Sequence, residues 1–451
     1  MGKNNCRRCA LLLHLLLMPL AATMTVRAQG AWTLEQCCEY AVEHNIGLKQ
    51  KENQKRQQEL QLSNERNQRL PDLNASVGEN LSFGRGLTAD NTYTNTNTSS
   101  TSFSLGTSVP LFTGWRIPNQ IRMSRLNLEA ATEELEKARN DIRLQVAQEY
   151  VQVLYGMELL SVARRQVAID SAQVVRLEKM LAAGKASEAQ LSQQLSAMAQ
   201  SRLTETQADN NLQLALLSLT QLLELDSPEG FAIARIDSAD LDVTMSPLST
   251  ALIDEVLDQA LAAKPEIRSG QLRLKAAEHS IDIARAGLYP TLSFSAGLGT
   301  NYYTTSGFKA DPFGRQIKNN FSQYLGLSLN IPIFNRFQTR NSIRSAKIDR
   351  ENHALELDNA KKSLRKEIQQ VFYNTVAARQ KVISCQQACK ASEDAFRLTQ
   401  AKYEQGKSTI TEFNEAKNNM MKTASDLTQA RYECLYQHAL IKFYRGQQLA
   451  F

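Results

Sequence analysis

The residue types that do chemistry in proteins are present in this chain, but not in working arrangements. His44, His279, His353 and His438 are scattered through the body of the sequence. None lies in a His-Glu-x-x-His pattern or at a spacing that pairs two ligands on one helix face, so neither a metal nor a cofactor is expected. Cys37, Cys38, Cys385, Cys389 and Cys434 make five, an odd number, so no complete disulfide framework closes within one chain. Cys385 and Cys389 stand four apart on a helical stretch, where small buried side chains are the simpler reading. Gly84-Arg85-Gly86 and Gly297-Leu298-Gly299 carry only a fragment of a phosphate-loop pattern and fall in or beside strand-like sequence. No residues are left over to make an enzyme.

A chain without a reaction centre must act through its architecture. Lys3, Arg7 and Arg8 precede an apolar run from Ala10 to Ala22, and Val26-Arg27-Ala28 supplies small residues for cleavage. That is a secretory signal over 1–28, too short in its apolar part to span a bilayer, and the mature chain is expected to begin near Gln29. No Cys follows directly, so lipid attachment is not expected. Residues 1–28 carry four bases (Lys3, Arg7, Arg8, Arg27) and no acid, so the net charge of +6 falls to 6 − 4 = +2. This near balance gives no support for nucleic-acid binding.

The chain is written twice. Val109-Pro110-Leu111-Phe112 recurs as Ile331-Pro332-Ile333-Phe334, an offset of 332 − 110 = 222, and Gly184-Lys185 recurs as Gly406-Lys407 at the same offset. Leu70-Pro71-Asp72-Leu73 recurs as Tyr289-Pro290-Thr291-Leu292, at 290 − 71 = 219. Tandem copies of one unit account for this. Each copy reads helix, strand pair, very long helix, break, helix. Helical periodicity runs over Thr33–Arg69, Pro118–Ala183 and from Gly184 to Leu225, then over Leu252–Leu288, Thr339–Gln405 and Thr409–Gln447. The long stretches cover about 65 residues, or about 100 Å at about 1.5 Å per residue, and need bundle or coiled-coil partners. Gly184 and Gly406 suit tight tip turns, because glycine tolerates positive φ. The expected layout is a first repeat over 29–225, a connector over 226–250 and a second repeat over 251–451.

Between the first two helices of each copy the period changes to two. Strands are expected over about 73–83, 101–112, 291–303 and 321–334. One face of each is apolar: Leu81 and Phe83, then Phe103 and Leu105, Leu292 and Phe294, Leu325 and Leu327. The opposite faces are Ser, Gly and Asn. Runs of about ten residues match tilted strands crossing hydrocarbon, with Gly84–Ser100 and Thr304–Asn320 as long polar outer loops. A half-buried soluble sheet has the same alternation. Four strands in lipid would have to close their edges, within the chain or between chains. An open channel then asks for at least three copies. Arg122, Arg125, Arg340 and Arg344 fall where the long helices leave the strands, against lipid headgroups or solvent.

This order of features resembles the TolC family of outer-membrane efflux proteins over essentially the whole mature chain. The resemblance rests on Trp32-Thr33-Leu34-Glu35-Gln36, the junction prolines Pro71, Pro110, Pro290 and Pro332, and the duplicated Gly-Lys turns, one of them in Lys402-Tyr403-Glu404-Gln405-Gly406-Lys407. It implies a homotrimer whose twelve strands form one barrel, continued into a long helical coiled-coil tunnel across the periplasm. The tunnel would narrow to an aperture that docks a periplasmic adaptor protein and an inner-membrane transporter. Two aperture acids three apart match Glu412 and Glu415, with Gln190 and Gln193 as their first-copy equivalents. The gate tyrosine matches Tyr403. Its partner arginine is Ser408 here, so the family's closing salt bridges do not carry over. The implied function is a passive outer-membrane duct for efflux or type I secretion. A soluble periplasmic coiled-coil adaptor is the competing reading.

Overall fold

The computed structural model describes residues 31–87, 91–236, 250–447 and 449. The signal expected over 1–28 and most of the expected connector (237–249) lie outside them. The first repeat runs α1 (Leu34–His44), α2 (Ile46–Asn67), β1 (Asn74–Leu87), β2 (Tyr93–Phe112), α3 (Arg116–Ala182) and α4 (Glu188–Leu222). The second runs α5 (Thr250–Ala263), α6 (Pro265–Arg285), a short 3-10 turn, β3 (Thr291–Thr305), α7 (Phe313–Asn319), β4 (Ser322–Asn330), α8 (Gln338–Glu404) and α9 (Ile410–Tyr444). Both long helices have 67 residues and both return helices have 35. Every one of their ends is displaced by 222 in the sequence.

Several elements differ from the periodicity reading. The first helix of each copy is broken. Asn45 leaves helical geometry and caps α2 through Leu48 N–H, and Lys264 leaves it ahead of Pro265 without a side-chain cap. The apolar period continues across both breaks, which only the Asn45 cap and Pro265 reveal. The β1–β2 hairpin climbs to Leu87 and Tyr93, through Thr- and Asn-rich sequence read above as loop. Backbone pairing there needs no apolar alternation. β4 ends at Asn330, four residues short of Phe334, and α7 occupies the second loop.

The long helices are entered without side-chain caps. Two successive left-handed residues make the turn from strand to helix in each copy: Gly114 and Trp115 (φ 62° and 66°), then Arg336 and Phe337 (φ 55° and 61°). Only the first position in copy one requires glycine, since a Cβ on Gly114 would sit 2.7 Å from Ala286 O. Pro110 lies inside β2, where the register shifts between Pro110 and Phe112 and places Phe112 opposite Leu292. A residue without N–H fits such a shift.

Two apolar cores hold the middle of the helical body. The first joins Cys37 and Ala41 of α1 to Val146, Tyr150 and Leu154 of α3 and Leu219 of α4. Tyr150 Oη donates to Ala234 O (2.8 Å) and Trp32 O (3.1 Å), tying in the strap that follows α4. The second core joins Val256 and Ala260 of α5 to Leu364, Ile368 and Val371 of α8. The sheet stands apart from both. Its order is β1-β2-β3-β4, all antiparallel.

Candidate functional site

The sheet presents one apolar and one polar surface, and no long helix covers either. Phe103 faces Thr300 and Leu105 faces Leu298 across β2–β3, and Phe294 faces Leu327 across β3–β4. Leu325 and Leu327 are 79% and 69% exposed, and Val77 and Phe83 are equally bare. A soluble sheet packed on helices would bury this face. Here it is open along four strands, a surface of the kind that meets lipid. Among the described residues no helix is long and apolar enough to cross a membrane. The other surface carries Ser76 bonded to Ser104 (2.7 Å) and Tyr324, whose ring lies over Gly297. A Cβ on Gly297 would come within 2.5 Å of that ring.

The outer edges are handled differently. Above the end of β4, α7 replaces the missing strand. Buried Gln316 donates to Tyr303 O and accepts from Tyr303 N–H, both at 3.0 Å, as a neighbouring strand would. Phe313 packs edge-on against Tyr302 and Phe103. Among the described residues, the free edge of β1 and the free edge of β4 below α7 have no partner strand.

At the far end of the helical body, both hairpin tips turn through glycine. Gly184 and Gly406 have φ of 66° and 72°, and Lys185 and Lys407 N–H each reach back to a carbonyl five residues earlier at 2.8 Å. The next helix begins with a capping box in each copy: Ser187 with Gln190, and Thr409 with Glu412. Glu412 accepts from Thr409 N–H (2.9 Å) and from Ser408 Oγ. The Ser408 and Thr409 donors hold its carboxyl below the usual range. Gln190 and Glu412 therefore terminate helices, a role the Ser-x-x-Gln and Thr-x-x-Glu spacing advertises and the sequence reading passed over. Glu415 is exposed one turn on, and Gln193 Nε2 donates to Thr411 Oγ1 (3.3 Å).

Tyr403 sits between the copies. Its Oη accepts from Gln173 Nε2 (2.8 Å), Arg176 lies 5.7 Å from its ring centre, and Phe413 packs at 5.1 Å. Burial pushes its hydroxyl above the ordinary value. Beneath it lies a network that sequence reasoning missed. Asp170 of α3 and Lys417 of α9 form an ion pair with side chains 0% and 1% exposed. Gln194 Nε2 and Ser201 Oγ donate to the same carboxylate, and Asn414 bridges Lys417 to Gln194. The second copy places Ser392 and Thr423 at the positions of Asp170 and Ser201, bonded at 2.5 Å. At this level of the repeat the buried ion pair lies in the seam between α3 and α9, and the second-copy equivalents of Asp170 and Ser201 are neutral.

Comparison with known proteins follows the same outline. The family described as "Outer membrane efflux protein" matches residues 39–224 and 256–445, one segment in each repeat. The chain is 28% identical over 381 residues to the pyoverdine export outer membrane protein OpmQ of Pseudomonas aeruginosa, covering 80% of this chain and 74% of that one. It is 24% identical over 241 residues to the outer membrane protein TolC of Escherichia coli, covering 53% and 48%. The fold matches solved CusC (TM-score 0.76, 19% identity, 92% of each chain) and VceC of Vibrio cholerae (0.74, 17%, 92% and 97%).

Proposed function

Because the chain belongs to the outer membrane efflux protein family, channels of the outer membrane that extend into the periplasm and serve efflux or secretion systems, we propose how its copies close into a duct. Three copies form one barrel of twelve strands above one helical tunnel. Each chain runs up, down, up, down across the sheet, so β4 of one copy meets β1 of the next in antiparallel sense. Closure on this pattern removes every edge that would otherwise leave backbone groups unpaired in hydrocarbon.

The observation that carries this reading lies in the helices. Within a chain, α9 packs beside α3. Displacement by 222 turns that seam into α4 beside the α8 of a neighbouring copy. Val151 and Leu154 of α3 are 8% and 1% exposed, whereas their equivalents on α8, Tyr373 and Val376, are 66% and 47% exposed. Ala439 of α9 is buried, and its equivalent Leu217 of α4 is bare. Heights agree as well. From the tip, Leu195 and Leu217 lie 195 − 187 = 8 and 217 − 187 = 30 residues along α4. Leu398 and Tyr373 lie 405 − 398 = 7 and 405 − 373 = 32 along α8. The missing cover is another copy. Three, not two, is favoured because eight strands leave a barrel filled by its own side chains.

The tips then ring the periplasmic mouth. Glu415, exposed and free of the capping role, supplies the aperture charge, with Glu412 behind it and neutral Gln190 and Gln193 on the alternate hairpins. A periplasmic adaptor and an inner-membrane transporter would dock there, as the family resemblance implies. The chain itself acts as a passive duct and not as an enzyme. The test is native mass in detergent after extraction from outer membranes. A trimer is expected, and a soluble monomer would return the periplasmic adaptor reading. In bilayers, Glu415→Ala should weaken block of current by multivalent cations, whereas unchanged block would remove Glu415 from the aperture.

A further inference from the structure

Two turns into each long helix, on the same positions of the repeat, stand two basic residues three apart: Arg122 and Arg125 in α3, Arg344 and Lys347 in α8. All four are exposed. Among the described residues none of them enters an ion pair, although the same helices carry many ion pairs further on. Their direction follows from the groove behind them. One concave groove is lined together by Gln54 of α2, Asn127 of α3, Ala277 of α6 and Asp349 of α8. A groove to which four neighbouring helices of one wall contribute lies on the side toward which the wall curves, the inside. At about 100° per residue, Arg122 and Arg125 point about 140° and 160° away from Asn127. Arg344 and Lys347 stand in the same relation to Asp349. The basic pairs therefore face outward.

Their depth is set by the aromatics above them. Phe112 packs edge-on against Trp115, and Phe334 packs edge-on against Phe337. Phe112 continues the apolar face of the sheet, and Trp115 and Phe337 are exposed, as residues at a membrane–water interface are. Arg122 and Arg344 follow Trp115 and Phe337 by seven residues each, about 10 Å of helix. Both helices begin at the membrane, and side chains lean toward a helix N-terminus. The long basic side chains thus reach back several ångström, into a headgroup layer about 5–8 Å deep.

We infer that these four side chains form a phosphate-binding girdle for anionic glycerophospholipids of the periplasmic leaflet, fixing the depth at which the sheet sits in the bilayer. The partner is chosen by charge, by unpaired donors at headgroup depth, and by continuity with the apolar face. The inference rests on outer-membrane placement and not on the number of copies.

The test uses the full mature chain in neutral detergent in its native assembly. Native mass spectrometry follows its titration with phosphatidylglycerol and with phosphatidylcholine of matched acyl chains. The intact protein should prefer phosphatidylglycerol by at least about tenfold, from roughly fivefold for each basic contact. The preference should fall as salt rises. Arg122→Gln/Arg125→Gln/Arg344→Gln/Lys347→Gln should bring it close to one, while Arg202→Gln/Lys422→Gln, near the tips, should leave it intact. Equal affinity of the intact protein for both lipids, or an undiminished preference in the fourfold variant, would overturn the girdle. If the fourfold variant does not assemble, Arg122→Lys/Arg125→Lys/Arg344→Lys decides: it keeps the charge, and loss of the preference there would sink the inference. A different copy number with the preference retained would refute the trimer alone.

Discussion

The ion pair between Asp170 and Lys417 makes a quantitative prediction, because the second copy of the repeat shows what a neutral version looks like. Both side chains are shut off from solvent, and the carboxylate also receives Gln194 and Ser201. Lys417→Leu removes the cation paired with Asp170 and leaves a buried anion with two neutral donors. Breaking a buried pair from one side costs about 3–5 kcal/mol. Asp170→Ser alone strands the ammonium in the same way. The repeat carries the neutral residues at the same positions, Ser392 for Asp170 and Leu195 for Lys417, which would meet across neighbouring copies in the proposed trimer. The double change Asp170→Ser/Lys417→Leu should therefore recover most of the loss, to within about 1–2 kcal/mol of the original, since neutral replacements of buried pairs are often tolerated. Heating a membrane protein in detergent is commonly irreversible, so the assay is amide hydrogen exchange in the tip-proximal turns of α4 and α9. At about 1.4 kcal/mol per tenfold, each single change should speed exchange there by about a hundredfold to several thousandfold. The double variant should stay within about thirtyfold. Single variants that exchange less than about tenfold faster, or a double variant no slower than the worse single, would refute the reasoning.

Gly184→Ala and Gly406→Ala should each destabilise their tip by about 1 kcal/mol. Both residues have positive φ and open space around them, so the two penalties should match, and exchange at Lys185 and Lys407 measures them. Gly114→Ala should cost more than either, because its Cβ also meets Ala286 O, and thermal inactivation compared across the three variants checks that order. Burial pushes the Cys37 and Cys38 thiols up to about 12, so at pH 8 native protein should leave both unalkylated by iodoacetamide while unfolded protein labels fully. Glu412 has a lowered folded value, so its contribution to the α9 cap is present above the ordinary glutamate range and is lost as pH falls through that lowered value. Exchange at Thr409 and Glu412 should accelerate on acidification relative to Ser187 and Gln190, whose cap contains no titrating group. Parallel behaviour of the two caps would contradict the assignment.

Much of this molecule is visible in its sequence because duplication prints the boundaries of the long helices and their return helices twice. Proline and glycine at matching offsets mark where strands and helices change over, and period-two alternation separates the two surfaces of the sheet. What escaped has specific causes. Asn45 and Lys264 interrupt helices whose apolar stripe runs on unbroken, so the pattern carries no mark of the stop. The upper hairpin is strand without alternation, held by backbone pairing of Thr94–Thr98 with Ser82–Gly86. α7 is too short to show a period, and its Gln316 does the work of a strand edge. In a linear sequence the residues of the Asp170 network look like solvated polar side chains, and only the packing of α9 against α3 puts them inside. Glu412 was legible in two ways, as an aperture carboxylate and as a helix cap, and the structure supplies the second.

The pairing of β2 with β3 has a consequence for how the chain could be cut. These two strands belong to different repeats, yet they share fourteen paired positions, from Thr98 with Thr305 to Phe112 with Leu292. In the helical body α6 lies along α3, again joining one repeat to the other. The peptide between Ile236 and Thr250 is then a tether between halves already stitched at both levels. Each half carries one strand, β2 or β3, and one helix, α3 or α6, whose partner lies in the other half. A gene split at that tether, with an export signal on each product, would yield two polypeptides able to find one another and rebuild the same wall from two pieces per copy instead of one.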